Sequence, residues 1–164
     1  PAPHSNPDYC CLVNSVQEEV GLHGATMIAQ TIRPDVAIIT DVTHDTSTPL
    51  IDAKQEGDVR LGLGPALTYA PSVHRKLLQL IEEAAQVNKI PFQRVASSRS
   101  TGTDTDAFAY ANGGIPSALI SIPLRYMHTT VEMAHFEDIS HLINLIAASL
   151  QQIKSGHNFK YFDR

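Results

Sequence analysis

Apolar and polar positions along the chain recur with two different periods, and the switches between them divide it into strand-like and helix-like segments. The first apolar run, YCCLVNSV (9–16), is expected as an opening core strand. GLHGATMIAQTIR follows with helical spacing through Ala25, Ile28, Ala29 and Ile32, and it stops before Pro34. DVAIITDV (35–42) is short, continuous and rich in branched residues, the pattern of a buried strand. The next stretch, 44–71, is dense in Gly, Pro and Thr, which predicts loop with one short strand near 66–69. SVHRKLLQLIEEAAQVN is the clearest helix, with Ser72 as N-cap and Leu77, Leu80, Ile81 and Ala84 on one face. IPFQRVAS reads as a strand whose Pro91 places it at a sheet edge or marks its start. SRSTGTDTDAFAYANGG is a polar loop running into a short helix, and IPSALISIPL (115–124) is another apolar strand. FEDISHLINLIAASLQQIKSG closes the chain as an amphipathic helix that buries Ile139, Leu142, Ile143, Ile146, Leu150 and Ile153, with Gly156 as its stop. This alternation predicts an α/β layered sheet.

Composition narrows what such a sheet serves. With 164 residues and 43% hydrophobic content, one domain with a true core is expected. The net charge of -5, without blocks of like charge, offers no footprint for nucleic acid or an anionic membrane surface. No apolar stretch approaches the roughly 20 residues of a membrane span, and PAPHSNPDYC has no signal-peptide pattern, so a cytoplasmic location is expected. Cys10 and Cys11 are neighbours on the expected first strand, where they point to opposite faces, which predicts buried thiols and no mutual disulfide. The chain opens at Pro1 without methionine and meets an apolar run at once, which reads as a piece of something longer.

Three strand ends carry the chemistry. The first apolar run ends at Glu18 and Glu19, the second at Asp41, and the last lies shortly before His128. Ligand sites in open α/β sheets gather outside the carboxyl ends of strands, so the three ends are expected to converge. Glu, Asp and His together suit zinc, cobalt or manganese, and a spare glutamate could take a proton from metal-bound water. Each residue also has an ordinary use. A Glu pair is usually a solvated surface pair, an Asp after a strand a turn residue, and a lone His a structural one.

The motifs SVQEEVGLHGA, PDVAIITDVTH, LGLGPAL and GTDTDAFAYANGGIPSALISIPLRYMHTTVE, in this order and spacing, resemble the M42 family of dinuclear metallo-aminopeptidases. The resemblance runs from about Tyr9 to the final helix. It implies a layered α/β/α zinc-peptidase-like domain with a mixed central sheet, present here as residues 1–164 of the C-terminal part of a catalytic domain. It implies an aminopeptidase that releases N-terminal amino acids from peptides, with Glu18 as general base and a metal-bound water as nucleophile. Glu19 and His128 are implied as ligands of one metal and Asp41 as a ligand of the other, with two zinc or cobalt ions as cofactors. Asp104, Arg125 and Tyr126 are implied near bound substrate, and a homo-oligomer of the family's dodecameric kind is the expected partner. A complete member also brings an upstream histidine and a bridging aspartate that His4 and Asp8 do not match.

Asp104 reads first as part of an ordinary helix cap, and Arg125 is equally suited to pairing a buried charge. Asp45 is expected to face solvent and His44 to stand behind the ligands. His23 has no assigned role, and His74, His135, His141 and His157 read as surface or helix residues. Two other classes stand beside the peptidase: a non-catalytic fragment or assembly module, and a glycoside hydrolase. The latter needs two carboxylates flanking a sugar, which Glu18 and Glu19, being adjacent, do not supply.

Overall fold

Strand β4 (Ser117–Arg125) is the axis of the molecule. Its residues 117–121 are all buried in succession, which requires both faces of the sheet to be covered, and its continuous apolar sequence is what such a position demands. In this computed structural model, which describes residues 9–159, β1 (Ala37–His44) pairs with β4 in parallel, with Asp41 opposite Ser121. On the other side β2 (Ala66–Tyr69) runs antiparallel to β4, and β3 (Gln93–Ala96) runs parallel to β2. The two-residue β5 (Met133–Ala134) folds back antiparallel onto the end of β4. The sheet is therefore mixed, in the order β1-β4-β2-β3, with β3 at an edge and Pro91 shortly before its first residue, Gln93, so both of the positions that Pro91 left open are realised.

Two helix pairs pack on this sheet: α1 (His23–Ile32) with α4 (Asp104–Ala109), and α3 (Arg75–Val87) with α5 (Phe136–Gln152). Helix α3 buries Leu77, Leu78, Ile81, Ala84 and Ala85, and they join Leu67, Ala118, Leu119, Ile120, Leu142 and Leu145 in one core. Each fully buried leucine or isoleucine among them contributes about 1.5–3 kcal/mol. A short helix, α2 (Ala53–Glu56), is capped by Asp52, whose side chain accepts from the Lys54 amide. Among the described residues, no helix is long and apolar enough to cross a membrane.

Residues 9–16 depart from expectation. They form no strand, and their apolar side chains face outward, Leu12 being 98% exposed. A strand exists only when a neighbour satisfies its backbone, and no ladder reaches this segment among the described residues. Cys10 and Cys11 consequently lie exposed, not buried. His4 and Asp8 lie outside the described residues.

Helix α3 begins later than expected, because the cap is His74 and not Ser72. The Nδ1 atom of His74 accepts from the Leu77 amide at 3.3 Å, so a neutral imidazole does the work of an N-cap oxygen. This histidine is buried, not a surface residue. In α5 the buried stripe is rotated towards Leu142, Leu145 and Ser149, leaving Ile143 and Leu150 exposed, and the helix ends at Gln152, before Gly156. Asp138, on the same buried side, accepts from the amides of Gly62 and Gly64 at 2.7 Å each. Gly64 needs to be glycine: its φ is +94°, and a Cβ there would lie 2.3 Å from the Pro91 carbonyl oxygen.

Candidate functional site

Because β1 and β4 are parallel, both deliver their C-terminal ends to the same edge of the sheet; Asp41 does not end its strand as expected but stands within β1, which runs on to His44, and the turn towards His128 follows β4. Asp41 is partly buried, and its Oδ1 accepts from the Val42 amide at 2.7 Å.

Glu18 and Glu19 sit in a tight turn and not at a strand end. The amides of Gly21 and Leu22 donate to the Glu18 carbonyl at 3.2 and 3.1 Å, and the Gly24 amide donates to the Val16 carbonyl at 3.0 Å. A Cβ at Gly24 would stand 2.4 Å from that carbonyl oxygen and 2.5 Å from the Val16 nitrogen, so only glycine lets α1 start against this backbone. Ser15 then ties the turn across to α4 through a hydrogen bond from its hydroxyl to the Asp104 carboxylate. Thr103 caps α4 at the Thr105 amide, and Asp106 accepts from the amides of Thr101 and Gly102, fixing the loop that presents Asp104.

His128 lies on the loop between β4 and β5, exposed and left-handed at φ +63°. Its Nε2 is 3.4 Å from the Glu19 Oε1. The carboxyl group of Glu18 is held above its usual value, first by partial burial and then by repulsion from Asp41, Glu19 and Asp104, with His128 pulling the other way. Asp41 is also raised, chiefly by burial and against the Val42 hydrogen bond, and it too feels Asp104, Glu19 and His128. Glu18, Glu19, Asp41, Asp104 and His128 are thus one electrostatic neighbourhood.

Their kind fits a divalent cation. Four carboxylates and an imidazole are hard and borderline donors whose mutual repulsion a cation would relieve, and Asp104 Oδ1 is buried without a hydrogen-bond partner. Their placement fits in part: among the described residues, no three of the His, Cys, Asp and Glu side chains close around a point that could hold a metal ion. The Glu19–His128 pair is the nearest to a shell.

Arg125 and Tyr126 form a stack of their own, the guanidinium 5.3 Å from the ring centroid. Asp45 is buried, contrary to expectation, because its amide donates to the Leu124 carbonyl at 2.8 Å and its carboxylate accepts from the Ser47 amide at 2.7 Å. A cavity of about 580 Å³ opens beside the sheet, and none of the five side chains of the acidic neighbourhood lines it. Hydroxyls of Thr43, Thr68, Thr101, Thr103 and Ser121 line it, and Thr43 and Ser121 share the sheet face of Asp41. Sequence reasoning missed Ser15, Gly24 and Glu132; the recurring Gly of GLHG was the one available signal.

Known proteins complete the picture. A family model described as M42 glutamyl aminopeptidase matches residues 4–145. The lysyl aminopeptidase of Pyrococcus furiosus is 39% identical over 148 residues, which is 87% of this chain and 40% of that protein. Among solved structures, the TET aminopeptidase of the marine sediment archaeon Thaumarchaeota archaeon SCGC AB-539-E09 superposes with a TM-score of 0.79 at 31% identity, covering 86% of this chain and 40% of that one. The TET1 peptidase of Pyrococcus horikoshii, described as able to assemble into a tetrahedron or a large octahedral shell, gives 0.65 at 30% identity over 82% of this chain and 38% of its own. The chain thus spans about two fifths of the length of these relatives. With a match over most of its residues and a mixed sheet shared with solved relatives, this chain belongs to the M42 peptidase family.

Proposed function

We propose that this chain is the C-terminal portion of the catalytic domain of a metal-dependent aminopeptidase, and that it supplies the general base and part of the metal-holding shell. The observation that carries this reading is the gathering of Glu18, Glu19, Asp41, Asp104 and His128 at the edge of the sheet where β1 and β4 end. Glu19 and His128 would hold one divalent ion and Asp41 a second, zinc or cobalt in each case. Metal bound there supplies electrophilic assistance to the peptide carbonyl and lowers the pKa of water.

The protein's own part is proton traffic and positioning. Glu18, whose carboxyl is raised, takes a proton from the attacking water and returns it to the departing amine, and an elevated pKa brings a carboxylate closer to the neutral range such a base needs. Asp104, whose buried Oδ1 has no hydrogen-bond partner, would stand near the α-ammonium group of a bound peptide. Arg125 and Tyr126, stacked on each other, would contact the bound peptide. The full-length protein assembles with copies of itself, as the solved relatives' descriptions suggest.

The spread of the donors among the described residues favours a second reading, in which this length of chain alone holds metal weakly. One substitution tests the first reading. In the full-length protein Glu18→Gln should keep fold and metal content and lose turnover by about 10²- to 10⁴-fold. Retained peptidase activity in that variant would sink the assignment.

A further inference from the structure

We propose that Glu132 is the positioning residue for His128. The inference rests on the reading of His128 as a metal-holding imidazole, and it deepens that reading. The loop 126–132 is closed by a short antiparallel stem, Arg125 with Met133 and Leu124 with Ala134. Glu132 stands beside the stem, and its Oε1 accepts from the His128 amide at 2.5 Å. Two residues in this loop, Tyr126 and His128, adopt left-handed φ angles of +58° and +63° without being glycine, a conformation unfavourable for side chains beyond Cβ. Something must compensate, and the contacts are polar. The Thr129 hydroxyl donates to the Tyr126 carbonyl at 2.6 Å, the Val131 amide donates to the same hydroxyl oxygen at 3.2 Å, and the Glu132 carboxylate holds His128.

The His128 side chain is 64% exposed, so packing does not orient it. Its backbone conformation does, and the clamp on its amide selects the conformation in which Nε2 reaches to 3.4 Å from Glu19. A charge-assisted bond of this kind is among the stronger local contacts available to an exposed loop. Glu132 therefore acts on metal through the backbone of His128.

Two variants separate the hydrogen bond from the charge. Glu132→Gln keeps a carbonyl oxygen able to accept from the His128 amide, and Glu132→Ala does not. On the full-length protein, backbone amide exchange at His128 is followed together with titration by zinc alone. Glu132→Ala should raise His128 exchange by about tenfold or more, with the amides of α5 unchanged, and weaken zinc by about 10- to 100-fold. Glu132→Gln should restore most of both. If the His128 amide exchanges equally fast in the unsubstituted protein and in Glu132→Ala, the clamp does not exist and the proposal falls. If Glu132→Gln weakens zinc as much as Glu132→Ala while exchange stays protected, the carboxylate acts as a charge or ligand, and the positioning role falls. Failure of the unsubstituted protein to bind zinc overturns instead the metal reading of His128, and exchange still decides whether the clamp is real.

Discussion

Strand β4 and the loop that follows it are continuous in sequence, yet opposite forces hold them. Residues 117–121 are fixed by burial on both faces, and no single contact decides where they lie. Residues 126–132 are fixed by three polar contacts, and each of these competes with water. The same contrast separates α3, with five buried apolar residues, from the Glu18–Glu19 turn, which rests on backbone hydrogen bonds and one bare glycine contact. The M42 fold here is robust where it scaffolds and delicate where it presents chemistry. Substitutions should therefore separate stability from site geometry.

The sharpest test of the scaffold is Ile81→Ala. Ile81 is fully buried in the shared core, and its truncation should cost about 2–5 kcal/mol in urea unfolding. The His128 amide shift should hardly change in the folded fraction. An equal response in core and loop would erase the distinction. Gly24→Ala is intermediate: the added methyl must displace the Val16 backbone, at a cost of about 1–3 kcal/mol. It should also move the Glu18 and Glu19 resonances, which Ile81→Ala should leave in place.

The subtlest test uses pH. The raised carboxyls of Glu18 and Asp41 take up protons more readily folded than unfolded. Their contribution is therefore complete below the ordinary carboxylate value of about 4 and is lost as pH rises through their elevated folded values. His74 is lowered, first by burial and then by Lys76, so its contribution is complete above about 6.5 and is lost as pH falls. Scaffold and site thus have opposite slopes. In metal-free buffer, Glu18→Gln should gain stability relative to the unsubstituted protein as pH rises from 4 to 7, as read from urea midpoints. A flat difference would show that the acidic neighbourhood is not strained.

Much of this was legible in the sequence. The bounds of β2 emerge from an apolar run between Gly-rich turns, and Pro91 marks the approach to β3, which begins at Gln93. Other features depend on distant partners that local pattern does not show. Residues 9–16 have strand composition, but composition does not supply the neighbouring backbone a strand requires. The stripe of α5 was misplaced by a turn's fraction because isoleucine and leucine occur nearly all round it, and burial of Ser149 against Leu150 is a tertiary outcome. At the site, the strand-end pattern pointed to Asp41 on β1 and to His128 after β4, whereas Glu18 and Glu19 stand in a turn with no strand before them among the described residues, so the family resemblance, and not a strand end, carries them. Glu132 acts on a backbone amide in a left-handed residue, and no spacing rule announces such a contact.

One consequence of the Gly24–Val16 contact concerns heat. The segment carrying Glu18 meets the body at that contact, at Ser15 on Asp104 and at the exposed Glu19–His128 pair, and its own apolar side chains add little because they face outward. Such a segment can undock in a sub-global opening whose free energy is well below that of the sheet. In this length of chain Glu18 would then detach while the core remains folded, so on heating the Glu18 and Glu19 resonances should change at temperatures where a melting curve recorded from the sheet is still flat.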